Sequence, residues 1–452
     1  MRIIGDSVRA HPFERVSGGM AQFSAGKALP SIFDEYREIP PQARLLIYLS
    51  FVPGIVFGFI YTDLSFFLPK IQGLPDLWMG VTIGVMAATL VVVSIPLGVL
   101  ADRHGRRKML ILGNIAASLS LIGFALTTNL ALILFTAVVE GIGEAAFAVS
   151  VQALLTDKSG DQKRTIAFSL AAFLGWISGA VGGFAISSAI ALETFGLNIA
   201  QAHVALYLIV GLLGLSITPL VRKVDETPRF SSRIQVPKRT LLPKKSGPVI
   251  IRFSAYSVLI AFGAGLFVPL MTKWFSDRYG VPDTLSGPIL GISGLLTAAA
   301  VFLSPRLAKK VGLVRAIVVT QGLATMFMAF VPNAPTFEAS ASIYTVRVFL
   351  MNLSNPLAQS LIMGLVAPEE RGIASGFTAS LWRLPNALSS TVGAYWLGIG
   401  LLSLPFYVAT VLYVCAISAF WMLFRKTRLP EESKQQVARP LAPMISEESA
   451  DP

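Results

Sequence analysis

The chain has 452 residues, of which 54% are hydrophobic and only 14% charged, whereas soluble domains carry about a quarter charged residues. It is therefore not an ordinary soluble domain but an integral membrane protein, built of helices, since the period-2 alternation of a transmembrane barrel is absent. The net charge of +12 raises nucleic acid as a partner, so the basic residues have to be located before that partner is removed.

The first 43 residues mix charge, Gly and Pro and contain no apolar core long enough for a secretory signal; a cytoplasmic tail is expected. Apolar blocks bounded by charge, Pro or Gly then predict spans at 44–68, 78–100, 108–127, 129–155, 165–191 and 202–221. A second set follows at 250–274, 285–304, 313–332, 338–366, 373–397 and 404–424. The fold class is thus all-α, with twelve transmembrane helices in two six-helix bundles, 44–221 and 250–424, joined by a basic linker at 222–249. The polar stretch 425–452 is read as a second cytoplasmic tail.

With both termini cytoplasmic, the outer loops hold only Lys70, Lys273 and Arg278 of the 37 basic residues, and Arg347 and Arg383 fall inside spans. All the others lie on the cytoplasmic side, as the positive-inside rule demands, and the high charge needs no nucleic acid. The expected location is the plasma membrane, with lipid as surroundings. Cys415 is the single cysteine, so an intrachain disulfide is excluded.

The two halves repeat at a constant offset of 207 residues. Gly73-Leu-Pro75-Asp76 falls on Gly280-Val-Pro282-Asp283, Gly80 on Gly287, Gly84 on Gly291, Gly105 on Gly312, and Arg164-Thr-Ile166-Ala167 on Arg371-Gly-Ile373-Ala374. Two parallel, related halves follow.

Between the second and third blocks runs Gly98-Val-Leu-Ala-Asp102-Arg103-His-Gly105-Arg106-Arg107-Lys108. Such a charge cluster cannot sit in hydrocarbon and must form a tight turn at a membrane surface. Its order resembles the loop between the second and third helices of major facilitator superfamily transporters. The resemblance implies that Gly98, Asp102, Arg103, Gly105, Arg106 and Arg107 form a cytoplasmic gating loop, a latch between the halves that is closed when the cavity faces outward. The counterpart in the second half keeps Gly312 but has Lys309 in place of the aspartate, so the latch is lopsided and centred on Asp102.

Ionisable groups inside spans cost about 2.5–3.5 kcal/mol each on insertion scales and need a reason to be there. Asp63, Glu140, Glu144, Arg347 and Arg383 are the candidates. Glu140 and Glu144 lie four residues apart on one helix face, where neighbouring carboxylates suit proton binding. The resemblance places the first, fourth, seventh and tenth helices around a central cavity and so gathers Asp63, Glu140, Glu144 and Arg347. Arg347, which the offset maps onto Glu140, is expected as a cross-cavity counterion to Glu140 or Glu144. Asp63 matches the acidic first-helix residue of many multidrug exporters, with an outer-rim position near Lys70 as the alternative. Arg383, mid-span beside Trp382, would seek a carboxylate or an anionic ligand.

The fourth span resembles the arginine-containing motif of proton-coupled members, but Ala137 stands where the arginine is expected. In the fifth span Gly175, Gly179, Gly182 and Gly183 loosely resemble the antiporter glycine motif, with Ala180 in place of its proline; close helix packing is expected. No phosphate-binding glycine loop, metal-ligand cluster or nucleophilic constellation stands out, and His11, His104 and His203 are scattered. The expected function is alternating-access transport without a cofactor and not catalysis. The favoured reading is proton-coupled efflux of amphiphilic or cationic small molecules by a monomer. Carriage of organic anions or small metabolites by Arg347 and Arg383 is the alternative, and a transporter-like membrane sensor the reading from another class.

Overall fold

The computed structural model describes residues 38–226, 246–367 and 370–425. Most of both expected tails and the middle of the linker lie outside the described residues. From Ile39 onward the chain forms one compact unit, and its regular structure among the described residues is helical throughout.

Six helices make the first bundle: α1 Pro41–Ile71, α2 Asp76–His104, α3 Arg106–Leu126, α4 Leu130–Gly160, α5 Ile166–Thr194 and α6 Ile199–Val221. Six make the second: α7 Gly247–Tyr279, α8 Asp283–Val311, α9 Leu313–Asn333, α10 Phe337–Leu365, α11 Arg371–Gly398 and α12 Leu404–Phe424. Among the described residues, ten of these are long and apolar enough to cross a bilayer.

Local sequence sets the ends. Asn129 caps α4 by accepting from the backbone of Ala131 and Leu132, and Asn198 with Gln201 forms a reciprocal capping box on α6. Pro69 cannot donate to the ladder, and the last turn of α1, Phe67–Ile71, widens to a π-helix around it. Two departures from expectation concern boundaries. The break expected at 156–164 is a kink in one continuous helical run, made at Gly160 with φ 66°, a conformation that glycine reaches without strain. Helix α8 runs seven residues past the expected end, because Arg306, Lys309 and Lys310 continue the helix beyond the apolar block instead of ending it.

The repeat survives in the backbone. Helices α2 and α8 are both 29 residues long, begin at Asp76 and Asp283, and end against Gly105 (φ 108°) and Gly312 (φ 86°), which turn the chain sharply into α3 and α9. One end of the molecule therefore carries Gly73 and Gly280, and the other carries Gly105 and Gly312; they are called here the Gly73 end and the Gly105 end.

The halves pack at the Gly73 end. A Cβ on Gly80 of α2 would lie 2.5 Å from that of Ala394 on α11, and one on Gly183 of α5 would lie 3.2 Å from the carbonyl oxygen of Gly287 on α8. Removing side chains at these points lets the backbones approach. Gly182 likewise presses on α1, 2.4 Å from the Ile55 carbonyl oxygen by the same measure, which is the packing expected of the fifth span. Hydrogen bonds cross between the halves at this end from Ser187 to the Thr284 carbonyl (2.7 Å) and from Thr272 to the Thr62 carbonyl (2.5 Å). Toward the Gly105 end α2 is bare among the described residues: Ile95 is 76% exposed, Val92 and Val99 are exposed as well, and none of the described residues stands within 4 Å of where a Cβ on Gly98 would be.

Candidate functional site

Midway along the bundle, where the packed end gives way to the open one, a polar constellation spans both halves. Glu140 and Glu144 lie one turn apart on α4, as their spacing dictates. The Glu144 carboxylate is shared. Tyr61 of α1 donates its hydroxyl to Oε2 at 2.5 Å, and Arg383 of α11 donates Nη1 to Oε1 at 3.2 Å. Tyr61 is among the exposed rings and the Arg383 side chain is 41% exposed, so the pair faces open space and is not sealed in a core. Glu140 is different. It is 1% exposed, and neither carboxylate oxygen has a hydrogen-bond partner among the described residues. A second carboxylate left unpaired so close to the first makes this a place where positive charge is wanted.

Arg347 does not take the expected place opposite these carboxylates. It is 4% exposed within the second half, where Nη2 donates to the Tyr413 hydroxyl at 2.9 Å. Its guanidinium lies 5.0 Å from the Phe267 ring centre and 5.6 Å from that of Tyr413. The aromatic rings and the hydroxyl supply the partner that a buried guanidinium needs, and the cross-half counterion of Glu144 is Arg383.

Asp63 also leaves the group to which sequence assigned it. It is fully buried toward the Gly73 end, away from the rim position near Lys70. Its neighbours there are His203 of α6 and Asp283 of α8, with one donor atom from each of the three lying within 4.8 Å of the others. His203, scattered from the other histidines in sequence, is thus brought beside two acids by the fold.

Lys70 instead ion-pairs with Asp277 at 2.7 Å, and Lys273 bridges Asp277 at 2.5 Å and Asp76 at 3.1 Å. Two of these four residues come from each half, and they tie the Gly73 end shut beside a cavity of about 420 Å³ lined also by Leu74, Leu397 and Leu402. Asp76 and Asp277 were missed in sequence. The signal available was that Lys70 and Asp277, like Asp76 and Asp283, are equivalent positions of the repeat.

At the Gly105 end the loop is held to its own half. Asp102 accepts from Arg106 Nε at 2.9 Å and pairs with Nη2 at 2.8 Å, and Arg106 also bonds Asp157 of α4. Arg107 donates to the carbonyls of Arg222 and Val224, each at 3.2 Å, and its backbone N–H to Glu226 at 3.3 Å. Arg103 is exposed, Gly105 makes the turn, and Gly98 leaves the bare helix face noted in α2.

Two related six-helix halves, closed against each other at one end, with α2 left bare among the described residues toward the other, and joined midway by a charged pair, define a membrane transporter that works between two sides of a bilayer. The family model described as Major Facilitator Superfamily matches residues 46–390. The chain belongs to that superfamily.

Among its relatives, Multidrug resistance protein 2 of Bacillus subtilis (strain 168) is 25% identical over 77% of this chain and 87% of its own length. The multi-drug resistance efflux pump PmrA of Streptococcus pneumoniae (strain ATCC BAA-334 / TIGR4) is 25% identical over 70% of this chain and 74% of its own. In fold the chain is similar to the nucleoside transporter NupG, with a TM-score of 0.69 at 13% identity over 85% of this chain and 99% of the other. It is also similar to a bacterial homologue of the human lysosomal transporter Spinster in an inward-facing, occupied conformation. There the TM-score is 0.70 at 16% identity, covering 88% of this chain and 98% of the other.

Proposed function

We propose that the protein is a proton-coupled exporter of amphiphilic or cationic small molecules, working as a monomer in the plasma membrane by rocking its halves about the Glu144–Arg383 level. The observation that carries this reading is the shared Glu144 carboxylate. Arg383, from the other half, neutralises it, while Glu140 one turn away is buried with no hydrogen-bond partner among the described residues. A proton on Glu144 would release Arg383, and a cationic substrate would compete for the same carboxylate. Ion and cargo then exclude each other, which is the requirement for exchange.

By the positive-inside rule the Gly105 end faces the cytoplasm, so this conformation is open inward with its outer side locked by the Lys70, Asp76, Lys273 and Asp277 network. The Asp102 loop, held in its own half here, is free to engage the second half when the outer side opens. The names of the multidrug relatives support export of more than one compound.

A second reading, carriage of organic anions, is favoured by the half-exposed Arg383, whose carboxylate partner an anionic substrate could replace. Arg347, enclosed by aromatic rings, fits that role poorly. The test is purified protein in liposomes. An imposed pH gradient is expected to drive uptake of a lipophilic cation, with Glu144→Gln abolishing the drive while the fold is retained. Exchange of an organic anion that is lost in Arg383→Ala, with no response to the pH gradient, would select the second reading. Specific ligand binding without flux of any tested compound would leave a sensor.

A further inference from the structure

At the Gly73 end, where α1, α6 and α8 meet, three ionisable side chains are sealed together. Asp63 and His203 come from the first half and Asp283 from the second, and all three are 0% exposed. The ring of His203 stacks on Phe66. Its Nδ1 lies 2.7 Å from the Ile199 carbonyl, which can only accept, so Nδ1 carries a hydrogen; its Nε2 lies 2.7 Å from Asp283 Oδ2. Around this pair the polar atoms are underbonded: the Tyr207 hydroxyl of α6 and the Asp283 carboxyl stand beside Asp63, but neither Asp63 oxygen nor the other oxygen of Asp283 reaches good hydrogen-bond geometry with any group among the described residues.

Charge balance identifies what is missing. An imidazolium neutralises one carboxylate, and the second stays uncompensated in a space closed to water, at a cost of several kcal/mol. Two lysines of this end are engaged elsewhere. Lys273 of α7 is engaged by Asp76 of α2 and Asp277 of α7, and Lys70 at the end of α1 by the same Asp277. From α5 the contact on this region is Ser187 against the Thr284 carbonyl, which brings no charge. One added proton makes the group neutral, turns an orphaned carboxylate oxygen into a donor, and allows a carboxyl–carboxylate hydrogen bond from one half to the other.

We propose that Asp63, His203 and Asp283 form a second proton-binding site, whose occupancy staples the outer ends of the two halves together. The site rests on the reading of proton coupling and extends it from the midpoint to the outer gate. Protons loaded from outside favour closing, because the closed state alone brings Asp283 against Asp63 and His203. Opening separates the acids, water solvates each carboxylate, and the proton leaves. The gate thus closes behind an incoming proton, and loading at Glu144 is not required for that closure.

The test uses full-length protein in nanodiscs with Cys415→Ser, Phe195→Cys and Glu338→Cys, spin-labelled at the two introduced cysteines to report separation of the outer ends. The pH is varied over about 5 to 9, the range in which histidine and paired carboxylates titrate. In a Glu144→Gln background, the closed-to-open ratio is expected to rise, as pH falls, by up to about tenfold per pH unit, the limit for one linked proton. Asp63→Asn and Asp283→Asn should each hold that ratio within twofold across the range. His203→Gln should weaken closure at low pH.

A pH response that vanishes with Glu144→Gln, or persists undiminished in all three site variants, overturns the proposal. Added Zn²⁺ or Mn²⁺ that closes the outer end at high pH, in the parent but not in His203→Gln, would show a metal staple and overturn it as well. Flux measured in parallel separates the two readings. If transport ignores a pH gradient while the conformational ratio follows pH through this site, coupling fails and the gate stands.

Discussion

The packing of α2 on α11 yields a direct test of which end of the transporter is closed. Replacing Gly80 by leucine puts a Cβ 2.5 Å from the Ala394 Cβ and 2.9 Å from the Thr391 Cα, and the second of these is backbone that cannot rotate aside. Normal carbon–carbon contact is about 3.5–4.0 Å, so the helices must part by about an ångström before the rest of the leucine is accommodated. Overpacking of this kind costs about 1–3 kcal/mol. The cost falls only on the conformation in which α2 and α11 touch at this level, so it shifts the equilibrium about 5- to 150-fold toward the state with the Gly73 end open. Gly98→Leu, on the same helix but facing open space, is the control, since both changes improve helix propensity equally. Spin-label distances between positions 195 and 338 are expected to lengthen in Gly80→Leu and to stay put in Gly98→Leu. A folded Gly80→Leu protein with an unchanged distance distribution would refute the reasoning. So would Gly98→Leu moving the distribution as far.

Lys273 joins acids of both halves, and Lys273→Met leaves Asp76 without its counterion and Asp277 with Lys70 alone, in a largely buried place. Breaking such a group costs about 3–5 kcal/mol, so the open outer end should gain at least tenfold in population by the same distance measurement. Tyr413→Phe removes the acceptor of the buried Arg347 guanidinium and is expected to destabilise the second half by about 1.5–3 kcal/mol, read as a lowered unfolding temperature in detergent. Asp102→Asn removes an ion pair whose carboxylate is 61% exposed; such pairs are worth at most about 1 kcal/mol, so the unfolding temperature should hardly move. Flux through Asp102→Asn should nevertheless fall, because the loop's work lies in the opposite conformation, and undiminished flux would remove the latch from the mechanism.

The spans and the two-half plan were legible because both rest on strong signals. Hydrocarbon selects long apolar runs, and a fixed offset carries glycines at turns and close approaches into register. Glu144 and Arg383 were legible one at a time, since a charge in a span needs a reason. Their pairing was not, as 239 residues of chain separate them and only the meeting of α4 with α11 joins them. The repeat misdirected the choice of Arg347. Equivalence under a pseudo-two-fold says that Glu140 and Arg347 occupy matching places in their own halves, not that they face each other, and aromatic side chains from α7 and α12 supply the partner locally. His203 and Asp283 lie at helix starts, where polar residues are commonplace, so neither stands out until the fold seals them beside Asp63.

The ion pair of Lys70 with Asp277 says which halves fit together. These two residues are each other's image under the 207-residue repeat, so they meet close to the axis that relates the halves. Two copies of the first half, assembled with the same symmetry, would set lysine against lysine there. Two copies of the second would set aspartate against aspartate. Either homodimer would repel itself at the seam, whereas the fused chain attracts. The pair thus favours the two unlike halves of one chain over two copies of either, and ties each half to its unlike sister.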